Sequence, residues 1–338
     1  MNQMDETYLA GDIGGTKTRL ALFSTQGNLH DPLEINTYPS QDYASLEDII
    51  REFLGGKPYP LIGASFGIAG PIIENRAQVT NLRWVVDSNI VSKTIGGHPV
   101  ILLNDLHAIA SAIPYLRPSE LETLIPGDPV EHGALGVIAP GTGLGEGFLV
   151  WDGKRYQPHP SEGGHSSFGP QTPLQLELLN YMDDIYAHVS YERVCSGLGI
   201  ANLYKFLRDG KGMNEPGWLK DELKDVSDPA PIIAQAALED KAEICTQTMD
   251  LFVSILGSEA GNLALKVLAT GGIYLGGGIP RRILPMLKTD EFRLAFTDKG
   301  RFANMLCEVP VYVITHPHAG VFGAACYGLV QNEEAIVK

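Results

Sequence analysis

Cysteine is scarce in this chain, and none of it is arranged for chemistry. Cys195, Cys245, Cys307 and Cys326 are the only four in 338 residues. They are widely scattered with no C-x-x-C pair, which excludes a zinc knuckle, a dithiol redox centre and a disulfide-stapled scaffold. They read as thiols buried in a reducing cytoplasm. Positive charge is also short: 25 Lys and Arg stand against 40 Asp and Glu, for a net charge of −15. No basic run offsets it, so neither nucleic acid nor an anionic membrane surface is expected as a partner. Apolar runs never approach the roughly 18 residues that a membrane-spanning helix needs. The acidic opening MNQMDETYLAGD also lacks the charged-then-apolar order of an export signal. Low-complexity tracts and long linkers are missing too, and the expected location is the cytoplasm.

What the chain does have is 44% apolar residues over a length of about two domains at roughly 150 residues each, enough for sizeable cores. It also has three glycine clusters. The first, GDIGGTKT (residues 11–18), nearly matches the phosphate loop G-x-x-x-x-G-K-[ST], but Thr16 stands where the second glycine belongs. A phosphate loop of that kind opens a helix, whereas TKTRLALFS has the apolar content of a short strand ending near Ser24 and Gly27. The expectation is therefore strand, turn, strand. In such a hairpin Gly11, Gly14 and Gly15 would take positive φ and bring N–H groups to an anion, with the Thr16 hydroxyl as a further donor. Asp12 beside a phosphate would be repelled unless a cation lay between them, which points to hydrated Mg²⁺. An ordinary glycine-rich β-turn remains the alternative.

GVIAPGTGLGEGFLVWDG (136–153) repeats the pattern, with a turn of Gly141, Thr142 and Gly143 between two apolar strands and a hairpin signal at Asp152-Gly153. It is no dinucleotide fingerprint, because Glu146 occupies the position of the last glycine. Two such hairpins suggest two related domains, each offering one phosphate-gripping turn to a shared cleft. The third cluster, LATGGIYLGGGIPRRIL (268–284), runs from a strand through Gly276, Gly277 and Gly278 into a helix expected near Pro280. A bare glycine surface suits a purine ring and a helix N-terminus favours phosphate, though a tight strand-to-helix connection would look the same.

Between the glycines lie polar residues at element junctions. HPVILLNDLHAIASAIPYL (98–116) predicts a strand and then a helix, with Asn104 and Asp105 at the join. A carboxylate at the carboxyl end of a strand can accept a proton from a substrate hydroxyl, and either residue could equally be a helix cap. PSEGGHSSFG (160–169) offers Glu162 and His165, and SYERVCSG (190–197) places Glu192 in an expected first helical turn. Together these five form the donor and acceptor set that a neutral polyol needs. Residues 236–268 read as the longest apolar-periodic helical region, the spine of the second domain. The segment 316–331 reads as a small-residue helix in which Gly320, Gly323, Ala324 and Ala325 allow close packing.

The order of GDIGGTKTRLAL, ASFGIAGP, TNLRW, LLNDLHAIASAIP, PGTGLGEGFL, SEGGHSSFGP, ERVCSGLGIANLY, GGIYLGGGIPRR and HAGVFGAACYG resembles the ATP-dependent bacterial-type glucokinases of the hexokinase–actin–Hsp70 superfamily over nearly the whole chain. The resemblance implies an α/β, two-domain actin-like or hexokinase-like ATPase fold with a closing interdomain cleft. It places a small domain at residues 1–115 plus 317–338 and a large one at 116–316. It implies glucose phosphorylated at its 6-hydroxyl by MgATP, commonly in a homodimer. By the same resemblance Asp12, Gly14, Gly15 and Thr16 look like one phosphate turn, and Gly141, Thr142 and Gly143 like the other. Gly276 to Gly278 look like the adenosine-side glycines. Asn104, Asp105, Glu162, His165 and Glu192 look like the sugar set, with Asp105 as general base. Lys17 departs from members of the group that carry Asn there and is given no role.

Rival readings have weaker support. A kinase of the repressor, open-reading-frame and kinase group would carry a cysteine-rich zinc motif after the histidine, and HSSFGPQTPLQLELL has no cysteine. A regulator on this fold would need a DNA-binding helix pair ahead of the first strand. An Hsp70-like or actin-like ATPase has no use for the sugar set, and a sugar sensor none for two phosphate turns and Asp105. A kinase of another hexose stays open, since such preferences turn on single hydroxyl orientations.

Overall fold

The computed structural model describes residues 5–57 and 59–337. Residues 1–4, part of the stretch read above for an export signal, lie outside the described residues. The chain forms two compact units, Met1–Arg117 with His316–Lys338, and Pro118–Thr315.

In the first unit the strands are β1 (Thr7–Ile13), β2 (Lys17–Ser24), β3 (Glu34–Pro39), β4 (Leu61–Ile68), the short β5 (Ile72–Ile73), β6 (Arg76–Gln78) and β7 (Val85–Asp87), and β8 (Val100–Asn104). The main sheet has the order β3-β2-β1-β4-β8, and β5 to β7 form a small sheet of their own. TYLAGDI is buried along almost its whole length, as a strand covered on both faces must be, and it takes the centre. EINTYP is partly exposed and ends in Pro39, and it takes the edge, where a missing N–H breaks no ladder. β1 and β2 are antiparallel, while β4 and β8 run parallel to β1, so the ends of β1 and β8 reach the same side of the sheet.

Helices cover this sheet. Leu46–Leu54 starts where Ser45 Oγ accepts the Asp48 N–H at 3.3 Å and stops at Gly55, φ +54°. Helix Ala319–Val337 packs with almost no clearance: against helix Asp105–Ala112 a Cβ on Gly323 would strike the Ala108 carbonyl, and against β1 one on Gly328 would strike the Tyr8 hydroxyl. Ser65 Oγ fixes the same helix by donating to Ala324 O at 2.6 Å. The small residues thus do what their pattern suggested. Gly323→Ala is expected to destabilise the fold by about 1–3 kcal/mol, read as a lower thermal midpoint; an unchanged midpoint would mean the two helices have slack.

The second unit repeats the plan with β9 (Leu121–Ile125), β10 (Leu135–Pro140), β11 (Leu144–Trp151), β12 (Tyr156–Ser161), β13 (Gly272–Leu275) and β14 (Val311–Ile314). Its sheet order is β12-β11-β10-β13-β14-β9. With β9 set aside, each sheet is a central strand with two antiparallel meander strands on one side and two parallel strands on the other. The helical region expected over 236–268 consists of two helices, Ala230–Leu238 and Glu243–Val267. The chain breaks at Asp240, whose φ of +49° no helix can hold. Glu243–Val267 is nevertheless the spine, with buried residues all round it.

Candidate active site

The first glycine cluster is the turn of a hairpin, as the strand pattern implied. Its glycines, however, are there for a different reason than expected: none of Gly11, Gly14 and Gly15 has positive φ. What they provide is clearance. A Cβ on Gly15 would lie 2.6 Å from Thr80 O, and one on Gly11 would lie 2.7 Å from Phe66 Cδ1 and 2.8 Å from Leu20 Cδ2. Gly14 N–H bonds Lys17 O at 3.1 Å, and Ser40, a residue the sequence did not single out, braces the turn from outside. Ser40 N–H donates to Thr16 O at 3.0 Å and its hydroxyl to Gly14 O at 2.8 Å. Among the described residues no backbone carbonyl takes the N–H of Gly15 or Thr16, and Thr16 and Lys17 are exposed. Such a tip is open to an anion.

At the base of this turn Asp12 faces Arg19 across the β1–β2 ladder, Arg19 Nη1 donating to Asp12 Oδ2 at 3.3 Å. Burial raises the Asp12 carboxyl above the usual range, and Arg19 pulls against that. Asp105 lies at the end of β8. Its carboxyl is raised as well, first by burial, and among the smaller causes by the charge of Asp12, against the Leu106 N–H that lowers it. Asp12 offers the hard carboxylate oxygens that suit Mg²⁺, and its charge already acts on Asp105, so the residues present fit that ion. Asn104 is the cap of helix Asp105–Ala112: its Oδ1 accepts the Leu106 N–H at 3.0 Å and its Nδ2 donates to Gly70 O at 3.2 Å. The Asn104 side chain is also among the smaller influences that lower the Asp105 carboxyl against burial.

The second unit gathers the rest. Its turn matches the first: Gly141 N–H bonds Gly143 O at 2.8 Å, and Thr142 is exposed at the tip. Gly141 O in turn accepts the N–H of Gly197, the first residue of helix Gly197–Lys205, at 2.8 Å. The third glycine cluster joins here, because Gly276 N–H bonds Ile138 O at 2.9 Å and a Cβ on Gly277 would come within 2.9 Å of Pro140 O. At φ +83° Gly277 is also the only one of Gly276, Gly277 and Gly278 with positive φ, and it starts the short helix Gly278–Arg282.

Glu192 links this turn to the neighbourhood of His165 and Glu162. It sits in a 3₁₀ turn, Tyr191–Arg193, rather than in the α-helical turn expected; the α-helix begins only at Gly197, after the Ser196 cap. Its Oε2 accepts the Leu144 N–H at 3.1 Å, so close to Gly143 that any side chain there would collide with it. Its Oε1 lies 4.0 Å from His165 Nδ1, and His165 Nε2 lies 3.9 Å from Glu162 Oε2. These gaps are too long for hydrogen bonds, so the three groups keep donors and acceptors for a ligand. Sequence reading missed Ser196 and Gly197 at the helix start, and Glu146, whose carboxyl touches Gly163.

A fold of two units with one strand order, a glycine turn with an exposed threonine in each, an acid at a strand end and a histidine between two glutamates defines a sugar kinase of the actin-like ATPase fold. The family model described as "Glucokinase" matches residues 9–331. The chain is 42% identical to a glucokinase of Nostoc punctiforme, over 94% of this chain and 97% of that one. It is 35% identical to a glucokinase of Cronobacter sakazakii, over 96% and 97%. The solved structure of a glucokinase from an Antarctic psychrotroph superposes with a TM-score of 0.83 at 32% identity, covering 96% of this chain and 99% of that one. The chain belongs to the glucokinase family, ATP-dependent hexose kinases that phosphorylate glucose.

Proposed function

We propose that the γ-phosphate of MgATP passes to the 6-hydroxyl of glucose with Asp105 accepting the hydroxyl proton. The observation that carries this reading is the place of Asp105 at the carboxyl end of β8, a strand of the main sheet, with its carboxyl raised above the usual range first by burial. Asn104, Glu162, His165 and Glu192 complete the sugar set. The geometry of the last three supports this, with uncommitted polar groups about 4 Å apart. Gly11, Gly14, Gly15 and Thr16 take phosphate in the first unit and Gly141, Thr142 and Gly143 in the second, each through turn N–H groups and a threonine hydroxyl. Gly276, Gly277 and Gly278 take the adenosine side.

Phosphoryl transfer asks little covalent help of a protein. The side chains hold the acceptor oxygen in line, remove its proton and keep water from competing. Asp12 is the residue that would hold Mg²⁺, and the bound ion would supply neutralisation of the phosphate charge. A homodimer working in the cytoplasm belongs to the same proposal.

ADP release from MgATP, measured with no sugar and then with glucose, mannose, fructose and N-acetylglucosamine, tests the reading. Release that requires sugar and is fastest with glucose is expected. Release without sugar would make the protein an ATPase, and preference for another hexose would displace glucose while leaving the roles of Asp12 and Asp105.

A further inference from the structure

Beneath the loop that carries Glu162 and His165, the second unit buries two carboxyl groups together. Glu146 on β11 is 1% exposed and Glu259 on helix Glu243–Val267 is 0% exposed. The charge of Glu259 is felt directly at Glu146, where it adds to burial in raising the carboxyl. Two ionised carboxylates in one buried site repel each other, which favours a proton on one of them.

The surroundings say which one. Glu259 Oε1 accepts from Lys266 Nζ at 2.9 Å and its Oε2 from Asn262 Nδ2 at 2.8 Å, so both of its oxygens are already engaged as acceptors. Glu146 has no comparable support: its Oε1 is buried with no hydrogen-bond partner among the described residues. Burial first, and then the charge of Glu259, raise its carboxyl to about 8, with Lys266 opposing. The other titratable groups facing the pair are the Tyr191 phenol and the Cys195 thiol, both raised by burial and by the charge of Glu259, and Lys299, lowered by burial.

What rests on this pair is the sugar loop. The Glu146 carboxyl lies against the Cα of Gly163, where a Cβ would strike its Oε2, and the Leu144 carbonyl lies against Gly164 in the same way. Leu144 N–H is the group held by Glu192. Asn262, bound to Glu259, also donates to the Tyr191 hydroxyl at 2.9 Å, one residue before Glu192. Residues 144–146 of β11 are thus the common footing of the loop, the second phosphate turn and Glu192.

We propose that Glu146 is a positioning residue: as a protonated acid beside Glu259 it holds the 162–165 loop in its sugar-binding arrangement. This rests on the reading of Glu162 and His165 as sugar ligands. Ionising Glu146 puts a second negative charge in the buried site, drives the two carboxylates apart and moves Gly163 with them. Because the folded-state value lies above the ordinary 4.5, the contribution of the pair is full below that value and is lost as pH rises through about 8.

The test is the KM for glucose, the KM for ATP and kcat from about pH 7 to 9.5 in the native protein, Glu146→Gln and Glu146→Leu. In the native protein glucose KM is expected to rise at least about threefold over that range, with ATP KM nearly constant. Glutamine is neutral and polar like the protonated acid but does not titrate, so its glucose KM should be near native at pH 7 and stay flat. Leucine has no donor and should raise glucose KM about fivefold or more already at pH 7. A Gln variant whose KM climbs in step with the native protein overturns the proposal, as does a folded Leu variant with native glucose KM. If the Leu variant does not fold, the comparison of native with Gln still decides. Glu162→Gln and His165→Ala, run alongside, distinguish the two failures: native glucose KM in both would remove the sugar-ligand reading, and this proposal with it.

Discussion

Asp105→Ala is expected to lower kcat by on the order of 10²- to 10⁴-fold with glucose and ATP still bound. The fold should survive the change. The Leu106 N–H that Asp105 Oδ1 accepts at 2.9 Å is also accepted by Asn104 Oδ1 at 3.0 Å, so the helix start stays capped. What is lost is the proton acceptor. Asp105→Asn, which keeps the shape and a hydrogen-bonding oxygen, should be nearly as slow, since an amide takes no proton at neutral pH. The native pH profile carries the same signature. A base must be ionised to work, and burial and Asp12 hold this carboxyl above the usual range, so kcat/KM should fall with acid at a pH above that of an ordinary aspartate. Near-native kcat in either variant, measured by coupled ADP release, would remove Asp105 from the role.

Glu192→Gln should raise the KM for glucose about 10- to 100-fold while ATP KM changes little, the size expected when one charged hydrogen bond to a ligand is lost. The two oxygens of Glu192 separate two effects. Oε2 holds Leu144 N–H beside the second phosphate turn, and a glutamine oxygen can replace it. Oε1 stands free near His165, and the amide group that takes its place donates where the carboxylate accepted. Glu192→Ala removes both contacts and frees the space next to Gly143, so ATP KM should rise too. A defect confined to ATP in Glu192→Gln would contradict the sugar assignment.

Much of this was legible in the sequence because it is local. Strand-like residues on both sides of GDIGGT and PGTG excluded a helix-opening phosphate loop and gave two hairpins, and the structure has both. The junction of a strand with a helix at Asn104 and Asp105 was equally plain. What the sequence concealed is contact across distance. The glycines of the first turn were assigned to positive φ, whereas Gly15 is required by Thr80 and Asn81 on a separate segment. The brace at Ser40 and the Glu146–Glu259 pair join residues far apart in the chain, and a lone glutamate in LGEGFL gives no sign of what faces it. The break at Asp240 was hidden for another reason: apolar periodicity continues on both sides of it, and one left-handed residue overrides that pattern.

The measurement that bears most directly on the account is the position of the transferred phosphate, read from phosphorus–proton coupling in the NMR spectrum of the product made from MgATP and glucose. The account predicts an ester phosphorus coupled to the two protons on C6 and consumption of one ATP per sugar. Coupling to the anomeric proton, or inorganic phosphate in place of an ester, would contradict transfer to the 6-hydroxyl and with it the roles given to Asp105 and to the sugar set.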